Sequence, residues 1–167
     1  VLDFGAEYFG SVRLLFGELK PQQDVQNIRI RFGESLTESC ALLGEKNATN
    51  DHSTRDMCVS MRSNSDMEWG LTGYRFVRID FLTDVKYELN GVFGVFIHGE
   101  EPKAKFECDD PLVNEIFSVG ARTLFLNMQN YIWDGVKRDR IVWVGDMYPE
   151  MLTVRTVFGD QKVLTDS

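Results

Sequence analysis

The chain changes character at residues 108–128, which read CDDPLVNEIFSVGARTLFLNM. Asp110 followed by Pro111 is a typical helix start, because an aspartate caps free backbone N–H groups and proline needs no N–H in the first turn. Apolar residues then recur at helical spacing, at Leu112, Ile116, Leu124 and Met128. We therefore predict a helix that buries a wide apolar face against other helices.

Upstream of this helix, short apolar runs alternate with polar turns. Ile28, Ile30 and Phe32 alternate with arginines, which is the period-two pattern of a half-buried strand, and residues 74–81 and 91–98 also read as strands. Strand-length segments without a helical period predict an antiparallel, jelly-roll-like β-sandwich. We assign residues 1–105 to this sandwich and residues 106–167 to a helical domain.

Two more helices are expected after the first one. The second should run from about Met147 to Phe158 and end at Gly159, because glycine readily adopts the left-handed conformation that closes a helix. Asp160 then has the character of an N-cap for a third helix. The segment from Tyr131 to Asp146 is left as the loop between the first two helices.

The composition excludes several classes of partner. The 167 residues are 43% hydrophobic and carry a net charge of −8, which disfavours nucleic acid and anionic membranes as partners. No glycine-rich phosphate loop and no metal-type spacing of cysteine or histidine is found, so we expect no cofactor and no metal. The compartment stays open between cytoplasm, periplasm and the cell exterior, with a soluble protein expected.

The predicted loop contains the residues that carry chemistry, in the sequence DGVKRDRIVWVGD from Asp134 to Asp146. Carboxylic acids transfer protons and bind hydroxyl groups, an arginine orients a polar ligand, and a tryptophan offers a flat apolar face to a sugar ring. This combination of residue types points to a site that binds and cleaves a sugar.

The same segment resembles the signature of the bacterial and fungal α-L-rhamnosidases of glycoside hydrolase family 78. In that family an Asp, an Arg followed by an acid, and Trp-x-Gly-Asp stand in the loop after the first barrel helix. Residues 2–5 (LDFG), 10–13 (GSVR) and 106–110 (FECDD) resemble the family's preceding sandwich and the start of its barrel. The resemblance implies an (α/α)₆ barrel that hydrolyses terminal α-L-rhamnosyl linkages of glycans or glycosides with inversion.

The resemblance also implies a role for each residue of the motif. Asp139 takes the place of the proposed general acid, where the family usually has Glu. The implied sugar-binding residues are Asp134, Arg138, Trp143 and Asp146. Read without the family, Asp146 is equally a helix N-cap, Trp143 a core residue, and Arg138 with Asp139 a structural ion pair.

The family's general base is a glutamate of a later barrel loop, after the position of Ser167. We therefore expect this chain to be a segment of a longer protein that is inactive by itself, and to self-associate through uncovered helix faces. The alternative function is a non-catalytic carbohydrate-binding or structural module with a degenerate site. A phosphorylase or lyase on the same helical barrel is a third possibility.

Overall fold

The computed structural model describes residues 1–22, 24–46, 55–137 and 139–167. Its contacts divide the chain into two compact units, Val1–Ile97 and His98–Ser167. The first unit is built from strands and the second from helices. The domain boundary between residues 105 and 106, taken from the sequence, stays a prediction.

The first unit contains five strands that form one antiparallel sheet. They are β1 (Leu2–Lys20), β2 (Gln26–Gly33), β3 (Asp56–Met61), β4 (Asp66–Phe81) and β5 (Lys86–Phe96), in the spatial order β3-β2-β4-β1-β5. A short helix, α1 (Leu36–Cys40), follows β2. The predicted antiparallel strands are confirmed. The described strands make a single sheet, so the packing of two sheets into a sandwich stays a prediction.

One face of this sheet holds the hydrophobic core of the first unit. Because side chains alternate along a strand, every second residue of β1 and β2 points to the same side. Those residues are almost completely buried: Val12, Leu14 and Phe16 in β1, and Ile28, Ile30 and Phe32 in β2. Tyr74 of β4 belongs to the same core. Its hydroxyl donates a hydrogen bond to the Ser11 carbonyl at 2.6 Å, and burial raises its pKa to about 12.

The second unit contains α2 (Pro111–Asn127), α3 (Val144–Val157) and the short α4 (Val163–Asp166). The predicted start of α2 is confirmed, since the Asp110 carboxylate accepts the Leu112 N–H at 2.9 Å. α3 begins three residues before Met147, at Val144. The start predicted for the third helix is wrong: the N-cap position of α4 is Lys162, which makes no side-chain capping hydrogen bond, and Asp160 instead forms an exposed ion pair with Arg155 at 3.6 Å.

The helices of the second unit share a small apolar core. Phe125 of α2 lies between the ring of His98, at 5.3 Å, and the ring of Phe158, at 6.4 Å. Val154 and Ile132 are completely buried beside them. This core joins the C-terminal part of α2 to the C-terminal end of α3. No described helix is long and apolar enough to cross a bilayer.

We predict that Gly10→Ala disrupts the pairing of β1 with β5. A Cβ at Gly10 would overlap the carbonyl oxygen of Val95, so the strands would have to move apart at a cost of about 2 kcal/mol. The matched control is Gly120→Ala, where the added methyl meets open space in α2 and should stabilise by about 0.5–1 kcal/mol. Urea unfolding measures both, and equal stabilities for the two variants would contradict the strand register.

We also predict that Asp80→Asn weakens the first unit. The buried Arg31 guanidinium donates to Asp80 at 2.8 Å, and loss of the carboxylate leaves that cation without its counter-charge, at a cost of about 2 kcal/mol. Burial pushes the pKa of Asp80 up, but hydrogen bonds from Arg31 and Arg78 outweigh it and hold the pKa below its ordinary value.

This lowered pKa fixes the sign of the pH dependence. The ionised carboxylate stabilises the fold above the pKa that the unfolded chain shows, and the contribution is lost as the pH falls through the folded-state pKa. Asp80→Asn should therefore flatten the acid limb of the unfolding free energy. Asp66→Asn, which breaks the exposed pair with Arg13, serves as the control and should change stability much less. An equal loss of stability in Asp80→Asn and Asp66→Asn would contradict the stabilising role assigned to the Arg31–Asp80 pair.

Candidate functional site

The loop between α2 and α3 begins with a tight turn. Met128 and Ile132 form an isolated antiparallel bridge directly after α2. The Trp133 N–H donates back to the Asn127 carbonyl at 3.1 Å, which satisfies one of the free carbonyls at the end of the helix. The chain is thereby turned and anchored before it enters the motif.

Asp134 and Ile141 then close the motif into a compact loop. The Asp134 N–H donates to the Ile141 carbonyl at 3.0 Å, and the Asp134 carboxylate accepts the Ile141 N–H at 3.1 Å. One residue thus supplies a backbone donor and a side-chain acceptor to the same partner. We call this pair of hydrogen bonds the clasp. Asp134 therefore has a structural role, and only one of its two carboxylate oxygens takes part in the clasp.

Arg140 supports the clasp from inside the loop. Its backbone has a φ of 55°, its Nε donates to the Val136 carbonyl at 3.1 Å, and its guanidinium lies 5.8 Å from the centre of the Trp133 ring. Burial lowers the pKa of this guanidinium. Val136 and Lys137 are also buried, so the first half of the loop is packed into the second unit and does not extend into solvent.

The structure places the predicted site residues in different environments. Asp134 is half-buried, whereas Asp139 and Asp146 are exposed. Trp143 has 53% of its surface exposed at the N-cap position of α3. Arg138 lies outside the described residues. The assignment of roles to these five residues stays a prediction.

These environments decide two of the alternative readings. Trp143 is not a core residue, because more than half of its surface faces solvent. Asp146 is not the N-cap of α3, because the helix begins at Val144 and Asp146 stands in its first turn. A carboxylate in the first turn still interacts favourably with the helix dipole. Both side chains are therefore accessible to a ligand.

Sequence reasoning did not single out Glu150, which lies one helical turn after Asp146 on α3. Residues four apart on a helix are neighbours, with Cβ atoms about 5–6 Å apart. The pKa of the Glu150 carboxyl is raised, first by burial and then by the negative charges of Asp146 and Asp134. Glu150 is therefore electrostatically coupled to two of the predicted site residues. The sequence feature that could have indicated Glu150 is its spacing of four residues from Asp146.

Glu150 also lines a groove between α2 and α3. The groove has a volume of about 340 Å³, and its other lining residues are Gly120, Thr123, Leu124, Asn127, Pro149 and Thr153. A volume of this size is at the lower end of the range for small-molecule sites. Within the described residues, no group of three or more His, Cys, Asp and Glu side chains is arranged to hold a metal ion.

Part of the chain matches a known protein family. Residues 101–167 match the family model described as the bacterial alpha-L-rhamnosidase 6 hairpin glycosidase domain. The match contains α2, α3, α4 and the whole motif from Asp134 to Asp146. A search of curated proteins finds no match to the chain. Residues 101–167 are therefore similar to the six-hairpin glycosidase domain of bacterial alpha-L-rhamnosidases, and this similarity covers less than half of the chain.

Proposed function

We propose that this chain supplies part of the active site of a glycoside hydrolase that removes terminal α-L-rhamnosyl residues from glycans or glycosides with inversion. The observation that carries the proposal is the family match over residues 101–167, which contains Asp134 of the clasp, Asp146 of α3 and a third carboxyl group, Glu150, on which both negative charges act. Rhamnose offers vicinal hydroxyl groups, and carboxylates are strong acceptors for them.

The chemistry of inversion requires two carboxyl groups with different duties. One donates a proton to the oxygen that leaves, and the other removes a proton from the attacking water, with a separation of roughly 6.5–9.5 Å. We propose that the donor stands in this chain. The base is a carboxylate of another barrel loop, as the family resemblance implies.

The sugar contacts proposed for this chain follow from exposure and charge. The accessible face of Trp143 suits the apolar side of a pyranose ring, since the aromatic face is half free of protein contacts. Asp134 and Asp146 are proposed to accept hydrogen bonds from sugar hydroxyl groups. Arg138, which the resemblance places among the sugar contacts, lies outside the described residues.

The surrounding architecture is part of the same proposal. α2 and α3 contact each other and follow one another along the chain, as the two helices of one hairpin do. We propose that they form the first hairpin of an (α/α)₆ barrel, preceded by the antiparallel sheet as one layer of a sandwich. The name of the matched domain, which refers to six hairpins, supports this arrangement.

A second candidate function is a sugar-binding module without catalysis. The exposure of Asp139 favours it, because the residue at the position of the family's proposed general acid is not enclosed by the second unit. The two functions differ in turnover and agree in sugar binding, so hydrolysis is the measurement that separates them.

We predict that the whole gene product cleaves an aryl α-L-rhamnoside and first releases β-L-rhamnose, the inverted anomer. Proton NMR during the first minutes distinguishes the anomers before mutarotation, and the aryl β-D-glucoside serves as the control substrate. Release of the α-anomer would contradict inversion. Sugar binding without any cleavage would favour the second candidate function.

We further predict that Asp134→Asn and Asp134→Ala separate the structural role of Asp134 from its binding role. The asparagine oxygen can still accept the Ile141 N–H, so this variant should keep the wild-type melting temperature and lose about tenfold in affinity for an α-L-rhamnoside. The alanine variant breaks the clasp as well and should lose about 1 kcal/mol of stability. Calorimetric titration and thermal unfolding measure the two effects, with the exposed Asp160→Asn as control. Full affinity in Asp134→Asn would remove Asp134 from the sugar contacts.

We propose, finally, that the isolated chain self-associates through its helices. Apolar side chains of α2 and α3 are widely exposed, among them Leu112, Ile116, Val144 and Tyr148. Exposed apolar patches of this kind favour association. Sedimentation velocity should show a dimer or larger species whose fraction falls in the double variant Ile116→Lys, Tyr148→Lys. A monomer at all concentrations would contradict the proposal.

A further inference from the structure

The outer face of the sheet carries an aromatic ring that lies flat on the backbone. Phe93 of β5 pairs with Arg13 of β1. Because Val12 and Leu14 on either side of Arg13 are completely buried, this pair lies on the face opposite the core. A Cβ at Gly91 would collide with the Phe93 ring, so the ring is folded over this glycine, yet Phe93 has 50% of its surface exposed. One face of the ring therefore packs on the Gly91 backbone, and the other is open to solvent.

The cation opposite Phe93 leaves this open face uncovered. Strand β1 lies between β4 and β5, and the Arg13 guanidinium is turned towards β4. There its Nε donates to one Asp66 carboxylate oxygen at 2.7 Å, and its Nη2 donates to the other. An arginine also has donors on Nη1, and those of Arg13 are paired with no acceptor among the described residues. The guanidinium is thus fixed beside the ring and can still donate to a ligand.

A β-bulge brings two polar side chains to the same face. The register of β5 against β1 skips Asn90, because Gly91 and Leu89 pair with consecutive residues of β1. The Asn90 amide and the Glu88 carboxylate lie over Gly17 of β1, within 3.0 and 2.7 Å of the position that a Cβ would take there. Gly17 stands two residues after the β1 partner of Gly91, which is about 7 Å along the strand. These groups are therefore close enough to contact the same small ligand as the ring.

The chemistry of this face suits a neutral sugar. An aromatic ring with one open face offers an apolar surface to a pyranose, and the amide, carboxylate and guanidinium groups around it can bond hydroxyl groups. Among the described residues, those nearest the ring carry three carboxylates and one guanidinium: Asp66, Glu68, Glu88 and Arg13. This excess of negative charge disfavours uronates, phosphates and other anions. An uncharged, hydroxyl-rich ligand meets both conditions.

We propose that the outer face of β4, β1 and β5 binds a pyranose unit of a neutral glycan, stacked on Phe93 and hydrogen-bonded by Arg13 and Asn90. Glu88 accepts a hydrogen bond from a further hydroxyl group. This face belongs to the first unit, whereas the motif from Asp134 to Asp146 belongs to the second. The inference goes beyond the proposed function and does not depend on hydrolysis, because this face holds the glycan and cleaves no bond.

NMR titration of the isotope-labelled chain tests this binding face. The probes are three neutral hexasaccharides, of L-rhamnose, D-glucose and D-xylose, with hexagalacturonate as the charged control. At least one neutral hexasaccharide should cause saturable shifts of the Phe93 ring signals and of the Gly91 amide. Hexagalacturonate should cause no comparable shifts, because the carboxylates around the ring repel it.

Matched variants assign the binding to the ring. Phe93→Ala should weaken the affinity for the neutral hexasaccharide by about tenfold or more, whereas Phe93→Tyr keeps an aromatic face and should retain it. Leu43→Ala, which shortens an exposed apolar side chain after α1, should match the wild type. In the whole gene product, Phe93→Ala should leave the hydrolysis of an aryl α-L-rhamnoside unchanged.

The outcomes separate this inference from the proposed function. Unchanged Phe93 signals with all three neutral hexasaccharides, or equal shifts from hexagalacturonate, would overturn the inference and leave the proposed hydrolysis standing. Full affinity in Phe93→Ala would overturn it as well. Binding at Phe93 without any cleavage of the aryl α-L-rhamnoside by the whole gene product would support the inference and overturn the proposed function alone.

Discussion

The clasp between Asp134 and Ile141 is the constraint on which the candidate site depends. Two hydrogen bonds, one from each backbone N–H, join residues that are seven positions apart and reduce the intervening chain to a compact loop. Arg140 and the buried Val136 fill the inside of that loop. The loop leads from the end of α2 to the start of α3, and these two helices contact each other. The negative charges of Asp146 and Asp134 both add to the rise in the pKa of Glu150 on α3, of which burial is the largest cause.

This arrangement has an electrostatic consequence. Carboxylates held near one another in partly apolar surroundings cannot all ionise at the pH at which each would ionise alone, so one of them keeps its proton longer. Glu150 is the group in which burial and both neighbouring charges act in the same direction. A site that must bind sugar hydroxyls with ionised acids, and also deliver a proton, needs this difference between its carboxyl groups.

The sequence was sufficient for much of the architecture. Strands with alternating arginines and aliphatics, the Asp110-Pro111 helix start and the loop before α3 follow from local patterns, and the structure bears them out. The predicted start of α3, at about Met147, is later than the observed start at Val144. Trp143 stands at the N-cap position without a side-chain capping hydrogen bond, so the sequence carries no signal of this helix start. Whether a second sheet faces the first is a question of long-range packing, which no local pattern decides.

The site was harder to predict than the fold. The motif predicts Asp134 and Asp146 as sugar contacts. Spacing along the chain does not reveal that the Asp134 carboxylate accepts a hydrogen bond from the Ile141 N–H, or that Asp139 is exposed. Glu150 lies four residues after the end of the motif. It is near the candidate site because residues four apart on a helix are neighbours, and the charge of Asp146 acts on its carboxyl group. Its character depends on burial, which is a property of the tertiary structure.

We propose that the loop and the first turns of α3 form a rhamnose-binding surface. Titration of the isotope-labelled chain with methyl α-L-rhamnoside, followed by NMR, tests it directly. We expect saturable shifts of the Trp143 indole N–H, of the backbone amides of Asp134 and Asp146, and of the Glu150 carboxyl carbon, with no comparable shifts from methyl β-D-glucoside. Unchanged spectra at these positions, or equal shifts from both sugars, would contradict it.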